Sequence, residues 1–111
     1  MSRKIISIDL DGVLNTYCGK FEKDVLPPVK EGAYEFLQKL SENYDIEIYT
    51  VRDKHITKNW LKQNNLLNFI KNITDKKNRY ATVFLDDRAV HFDGCFNTAI
   101  RKISSFKPHW K

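Results

Sequence analysis

The stretch from Lys4 to Asn15, KIISIDLDGVLN, constrains this chain more than any other part of it. Three isoleucines stand among the five residues before Asp9, a density of β-branched side chains that predicts a buried strand. That strand runs into two acids, Asp9 and Asp11, and breaks at Gly12. Ending a buried strand in two carboxylates is costly, because neighbouring like charges resist joint ionisation. In an open α/β sheet the carboxyl ends of the strands face the ligand crevice, so chemistry is expected at the same place. Asp-Gly is also an ordinary turn dipeptide, and only the rest of the chain separates the two readings.

Downstream, Asn15 to Pro28 is irregular in pattern and closed by Pro27 and Pro28, which block a ladder or helix interior and suit the approach to a helix start. Val29, Ala33, Phe36, Leu37, Leu40 and Tyr44 then recur at helical spacing, with Lys30, Glu31, Glu35 and Lys39 between them. Asp45 to Val51 alternates in period two and predicts a second strand ending near Thr50. Strand, helix, strand is a βαβ unit, whose right-handed crossover makes the strands parallel and brings Thr50 and Arg52 out beside Asp9 and Asp11. A second helix is predicted from Asp53, with Ile56, Trp60, Leu61 and Asn64 inward and Lys54, Lys58 and Lys62 outward. Leu66 to Ile73 fits either a helix end or a short strand, and Thr74 to Arg79 reads as a basic loop. Tyr80 to Leu85 predicts a further buried strand, again delivering paired acids, Asp86 and Asp87, at its carboxyl end. His91 to Gly94 reads as a turn or short strand. Phe96, Ala99, Ile100, Ile103 and Phe106 form a last amphipathic helix that stops before Pro108. The expected fold is α/β, a three-layer Rossmann-like arrangement around a mostly parallel sheet.

With 111 residues there is room for one compact domain, and 41% hydrophobic with 30% charged residues is the composition of an ordinary globular one. No apolar run has the length of a membrane span, and no signal-peptide core is visible. Cys18 and Cys95 make neither a disulfide framework nor a metal-ligand spacing, so a cytoplasmic location is expected. The net charge of +5 is uneven: residues 51–80 carry eight Lys/Arg against two Asp, and residues 21–49 carry three Lys against seven Asp/Glu. Such asymmetry steers anionic ligands toward one face, although a Lys-rich composition and a solvated helix face produce it too.

Four groups thus converge on one rim of the predicted sheet: Asp9/Asp11, Thr50/Arg52, Lys76/Lys77 and Asp86/Asp87. Four carboxylates at one rim repel each other unless a cation is bound, and Mg²⁺, which takes carboxylate, water and phosphate oxygens, is the natural candidate. A lysine, an arginine and a hydroxyl beside such an ion describe a site for phosphoryl chemistry, where positioning and charge stabilisation carry the catalysis.

The same residues, in the same order, resemble the four motifs of the haloacid dehalogenase (HAD) superfamily. The first is Asp9-Leu-Asp-Gly-Val-Leu14 after a hydrophobic strand. Then come Thr50 ending the second strand, a later lysine, and Asp86-Asp87 ending a further strand. The resemblance covers nearly the whole chain. Tyr49-Thr-Val-Arg52 and Leu85-Asp-Asp-Arg88 look most like the phosphatase domain of polynucleotide kinase/phosphatases and like small phage and bacterial HAD hydrolases. What the resemblance implies is an Mg²⁺-dependent phosphomonoesterase. Asp9 would be the nucleophile and form an aspartyl-phosphate. Asp11 would protonate the leaving oxygen and then activate water. The metal would be held by Asp9, the backbone carbonyl of Asp11, and the Asp86/Asp87 pair, with Asp87 the favoured direct ligand. Thr50 would hydrogen-bond the phosphoryl group. Lys77, with Lys76 as the alternative, would balance charge on Asp9 and the phosphate, and Arg52 would add a second phosphate contact.

Members of that superfamily often insert a cap domain after the first strand or between the second and third motifs. Here those slots hold only the Asn15–Pro28 flap and about one helix, so the resemblance implies a capless enzyme with an open site. An open rim suits a bulky phosphorylated substrate such as a nucleic-acid end or a nucleotide, or else calls for a second subunit in a homo-oligomer as cover. The basic 51–80 segment favours a polynucleotide or nucleotide phosphate, although affinity for phosphate alone accounts for the same charges.

Blander roles stand beside these. A threonine at a strand end is commonplace, the lysines fit a solvated loop, and Arg88 fits an ion pair at the rim. His55, His91 and His109 have no acid partner at motif spacing and read as non-catalytic. Trp60 and Trp110 read as packing residues, and nothing argues for a nucleophilic thiol at Cys18. Three other functions compete: a small-molecule (deoxy)nucleotidase, a phosphoryl-accepting receiver module, and a binding protein without turnover. Receivers carry their acidic pair on the first strand and the phosphoacceptor later, which is not the order here.

Overall fold

The computed structural model describes residues 3–111. Four parallel strands, β1 (Ile5–Asp9), β2 (Asp45–Tyr49), β3 (Ile70–Thr74) and β4 (Ala81–Leu85), form one sheet in the order β3-β2-β1-β4. The α/β class and the parallel sheet are those expected from the sequence. Helix α1 (Ala33–Ser41) connects β1 to β2, α2 (Lys54–Gln63) and a single 3₁₀ turn (Leu67–Phe69) connect β2 to β3, and α3 (Phe96–Ser104) follows β4. Among the described residues no helix is long and apolar enough to cross a membrane.

Both early crossovers step the same way across the sheet, so right-handed connections set α1 and α2 on one face. Strand alternation points Ile6, Ile8, Ile46 and Ile48 at that face, where they join Ala33 and Leu37 of α1, Trp60 and Leu61 of α2, and Leu66 in one buried cluster. The register pairs Ile6 with Ile46 and Ile8 with Ile48, so the two central strands end level, at Asp9 and Tyr49. Asp53 caps α2, its carboxylate accepting from Ile56 N–H at 3.0 Å; such a cap contributes about 1 kcal/mol.

The opposite face is built differently. It carries Ser7 and Glu47, both buried, and Asn72. The β3–β4 connection, residues 75–80, joins strands at opposite edges and runs from the end of one to the start of the other. Six residues leave no room for the helix that such a crossover usually contains, so the chain crosses without one, bending at Asp75–Lys76 and turning at Arg79–Tyr80. Asn78 of this connection donates to Glu47 Oε2 at 3.0 Å, while Asn72 donates to Oε1 at 3.1 Å. Two amides thus satisfy a buried carboxylate and pin the crossing chain.

Several expectations need correction. Helix α1 begins at Ala33, after Gly32 (φ 89°), rather than directly behind the prolines. Phe36 lies 41% exposed, off the inner face, and in α2 it is Thr57 that is fully buried beside Trp60 and Leu61. Leu66–Ile73 divides into the 3₁₀ turn and the start of β3. The largest departure is β4. Its pattern predicts a buried strand, yet it is an edge strand with Val83, Phe84 and Leu85 all exposed. Helix α3 forms as expected but buries none of its residues, and Phe96, Ile100 and Ile103 face solvent. Periodicity reports an apolar face; it does not report whether another layer lies against it.

Candidate active site

The carboxyl ends of β1, β2 and β4 meet at a cleft of about 200 Å³ lined by Asp9, Asp11, Thr50, Asp86, Asp87 and Arg88, together with Tyr17, Phe21, Tyr49 and Val51. Five of the residues singled out from the sequence are thus brought together. Lys77 and Lys76 part company. Lys77 lines an adjoining cavity of about 220 Å³ that shares Asp9, Tyr49 and Asp86 with the cleft, and its ammonium sits 4.9 Å from the centre of the Phe84 ring. Lys76 instead faces a hollow with Arg52, Asp53 and Lys54. The tether from Asn78 to Glu47 is what holds Lys77 on the Asp9 side.

Oxygens of Asp9, Asp86 and Asp87, one from each, lie within 4.8 Å of one another. The electrostatic cost is visible on Asp9. Burial, then a hydrogen bond shared with Asp87, then the charges of Asp86 and Asp87 push its carboxyl up to about 8. Burial also pulls Asp87 upward, but hydrogen bonds from Asp9 and from the Trp110 indole outweigh it and hold that carboxyl below its usual value. Asp86 accepts the Arg88 backbone N–H at 2.8 Å, a local turn contact that fixes the exit from β4. Asp87 Oδ1 is buried with no N–H or hydroxyl donor on it. Three convergent carboxylates, with Asp9 raised by burial and by its neighbours, could together hold a metal ion. Mg²⁺, a hard cation that takes carboxylate oxygens, is among the ions such a set suits.

Asp11 stands apart from this trio. Its Oδ2 accepts from Arg52 Nε at 2.8 Å and its Oδ1 from Asn15 Nδ2 at 3.0 Å. Asn15, 1% exposed, also accepts the backbone N–H groups of Gly12 and Tyr17, so one amide shapes the turn and orients the acid. Gly12 takes φ 84°, and a Cβ there would collide with the Asp87 carboxylate. Arg52, expected as a phosphate ligand, spends most of its donors elsewhere. Nε holds Asp11, Nη1 donates to the carbonyls of Glu22 and Lys23, and the guanidinium lies 4.4 Å from the Phe21 ring centre. Only Nη2 is buried without a partner. Arg52 is therefore the clasp that holds the 15–28 flap to the rim. Thr50 is buried at the end of β2, and its Oγ1 accepts the Arg52 backbone N–H at 3.2 Å, which leaves the hydroxyl proton available for an anion.

Two residues read as inert from the sequence reach the site from the far end of the chain. Trp110 Nε1 donates to Asp87 Oδ2 at 2.5 Å, and His109 Nε2 lies 2.6 Å from the Gly12 carbonyl oxygen. Nothing in their local pattern signals this, because His109 contacts a residue 97 positions away and Trp110 one 23 positions away.

No family model matches the chain. No curated protein matches it in sequence either. Among solved structures it is similar to that of a conserved protein from Bacteroides thetaiotaomicron, with a TM-score of 0.57 at 17% identity over 93% of this chain and 91% of that one. A likeness at that identity shows a common fold.

Proposed function

We propose that the chain is an Mg²⁺-dependent phosphomonoesterase of the HAD type, acting through an aspartyl-phosphate on a nucleotide or a nucleic-acid terminal phosphate. The observation that carries this reading is the grouping of Asp9, Asp86 and Asp87 beside Thr50 in one cleft at the ends of parallel strands. Burial and the neighbouring acids raise Asp9, and a cation held among the three would offset that, favouring the ionised form and supplying Lewis-acid polarisation of a phosphoryl group. Asp9 and Asp87 would hold it directly, with Asp86 at the margin and the Asp11 carboxylate outside.

The chain's own groups then divide the work. An Asp9 carboxylate oxygen attacks phosphorus and the bond from phosphorus to the leaving oxygen breaks. Asp11 gives that oxygen its proton, then takes one from the water that cleaves the aspartyl-phosphate, releasing inorganic phosphate and restoring Asp9. Thr50 donates its hydroxyl to a phosphoryl oxygen, and Lys77, on the Asp9 side, balances charge as it develops. Tyr17, Phe21 and Tyr49 line the same cleft as the acids, which supports a leaving group with a flat apolar body such as a nucleoside.

The test is a panel of 3′- and 5′-phosphorylated oligonucleotides, mononucleotides and sugar phosphates with Mg²⁺. Release of phosphate from nucleotide-type substrates, abolished by EDTA and restored by Mg²⁺, is the expected result. Comparing kcat/KM for a mononucleotide and an oligonucleotide with the same terminal phosphate separates nucleotidase from polynucleotide phosphatase. A stable phosphoprotein without turnover would overturn the enzyme reading.

A further inference from the structure

Resting on that metal reading, we infer that Trp110 is a positioning residue for Asp87, seated by His109 and Tyr17 as a latch across the site. The need for one follows from where Asp87 sits. It leaves an edge strand whose last three residues are exposed, so no packed layer fixes the direction of its carboxylate. The indole supplies that constraint. Its N–H takes Asp87 Oδ2 at 2.5 Å, while Oδ1 of the same carboxylate is buried with no N–H or hydroxyl donor on it, and one oxygen of this carboxylate lies in the group with Asp9 and Asp86. A carboxylate pinned by one oxygen has its plane set, and the other oxygen is thereby presented in one direction.

The seat of the indole is specific. The Tyr17 ring meets it edge-on, with centroids 5.3 Å apart and planes at 81°. His109, one residue earlier, is anchored on the Gly12 carbonyl oxygen at 2.6 Å. Two glycines with positive φ, Gly12 (84°) and Gly19 (107°), leave the room it occupies. A Cβ on Gly12 would stand 3.0 Å from Trp110 Nε1, and one on Gly19 would stand 3.2 Å from Cζ3. Gly12, Tyr17, Gly19 and Asp87 therefore agree on one position for a ring whose single polar atom touches one acid.

Partners that orient metal ligands typically change metal affinity 10–100-fold when removed. Mn²⁺ binding, followed by loss of the free-ion EPR signal with no substrate present, reads this directly. Trp110→Phe keeps the ring and deletes the donor. It should bind Mn²⁺ about 10–100-fold more weakly and raise the Mg²⁺ half-saturation for turnover by the same factor, with kcat at saturating Mg²⁺ within about twofold. Tyr17→Leu, which loosens the seat and keeps the N–H, should weaken Mn²⁺ binding in the same direction by a smaller factor. Asp87→Asn is the control and should lose nearly all binding. Wild-type Mn²⁺ affinity in Trp110→Phe with loss in Asp87→Asn would overturn the latch and leave the metal site standing. Wild-type affinity in Asp87→Asn would overturn the metal site and the latch with it.

Discussion

The two sides of the acid-lined cleft are built by different kinds of structure. On one side Asp9, Asp11, Thr50 and Arg52 emerge from β1 and β2, the central strands, whose isoleucines are locked into the core beneath α1 and α2. On the other, Asp86 and Asp87 leave the edge strand β4, which is exposed along most of its length and followed by a helix that buries nothing. The first side is held by packing and by the Arg52–Asp11 and Asn15 hydrogen bonds; the second is held by the His109–Trp110 contacts with the turn at Gly12 and Asp87. In the proposed reaction this division has a use. A nucleophile and its proton-transfer partner need fixed geometry, which a close-packed core provides. Asp87, with no packed layer behind its strand, depends instead on the Trp110 contact for its direction.

The largest expected effect falls on the packed side. Asp9→Asn removes the attacking oxygen without changing volume, so phosphatase activity should fall by at least ~10³-fold while the circular dichroism spectrum is unchanged. Activity within tenfold of wild type would break the assignment of the nucleophile to this side. Next comes the core that holds it. Ile48 is fully buried between β1 and the helices, and Ile48→Ala should cost about 2–5 kcal/mol in denaturant unfolding, the transfer and cavity terms together.

What the sequence disclosed follows the same division. Asp9, Asp11, Thr50 and the Asp86/Asp87 pair were legible because strand periodicity places each at a strand end, and parallel topology puts those ends on one rim. The Arg52 clasp, the two amides on Glu47 and the Trp110 contact were not, because each joins residues distant along the chain with no shared local pattern. Asn15 lies between these cases. A buried asparagine four residues after an acid is able to shape a turn and orient that acid, but its type alone does not say that it does. The exposure of β4 was illegible for another reason. The apolar character of Tyr80–Leu85 describes a strand that can be buried, and burial depends on a covering layer that the strand's own sequence does not encode.

Protonation offers a subtler contrast, because Asp9 and Asp87 are shifted in opposite senses. Asp9, raised from 3.8 to about 8, lets the native state hold a proton that the unfolded chain releases. Its contribution to stability is fully present below the unfolded value and is lost as pH rises through about 8. Asp87, lowered, contributes above its unfolded value and loses that contribution as pH falls through its native one. Between pH 5 and 8, in EDTA, only the Asp9 term has a slope, so the melting temperature should decline as pH rises. Asp9→Asn should flatten the profile; a slope that survives in that variant would place its origin elsewhere.

The smallest effect is the most diagnostic for the exposed side. Ile103 sits on α3 at 66% exposure, and its apolar neighbours Phe96 and Ile100 are open as well. Ile103→Ala removes little buried area and places a better helix former in the helix. The cost in unfolding free energy should lie within about 0.5 kcal/mol, as for other surface substitutions. Set beside Ile48→Ala, one isoleucine truncation then reads several kcal/mol in one half of the molecule and nearly nothing in the other. A cost for Ile103→Ala above about 2 kcal/mol, the range of a core truncation, would erase the contrast. It would mean that the apolar face of α3 is covered in solution, and the concentration dependence of the melting temperature would then tell a second copy from an intramolecular contact.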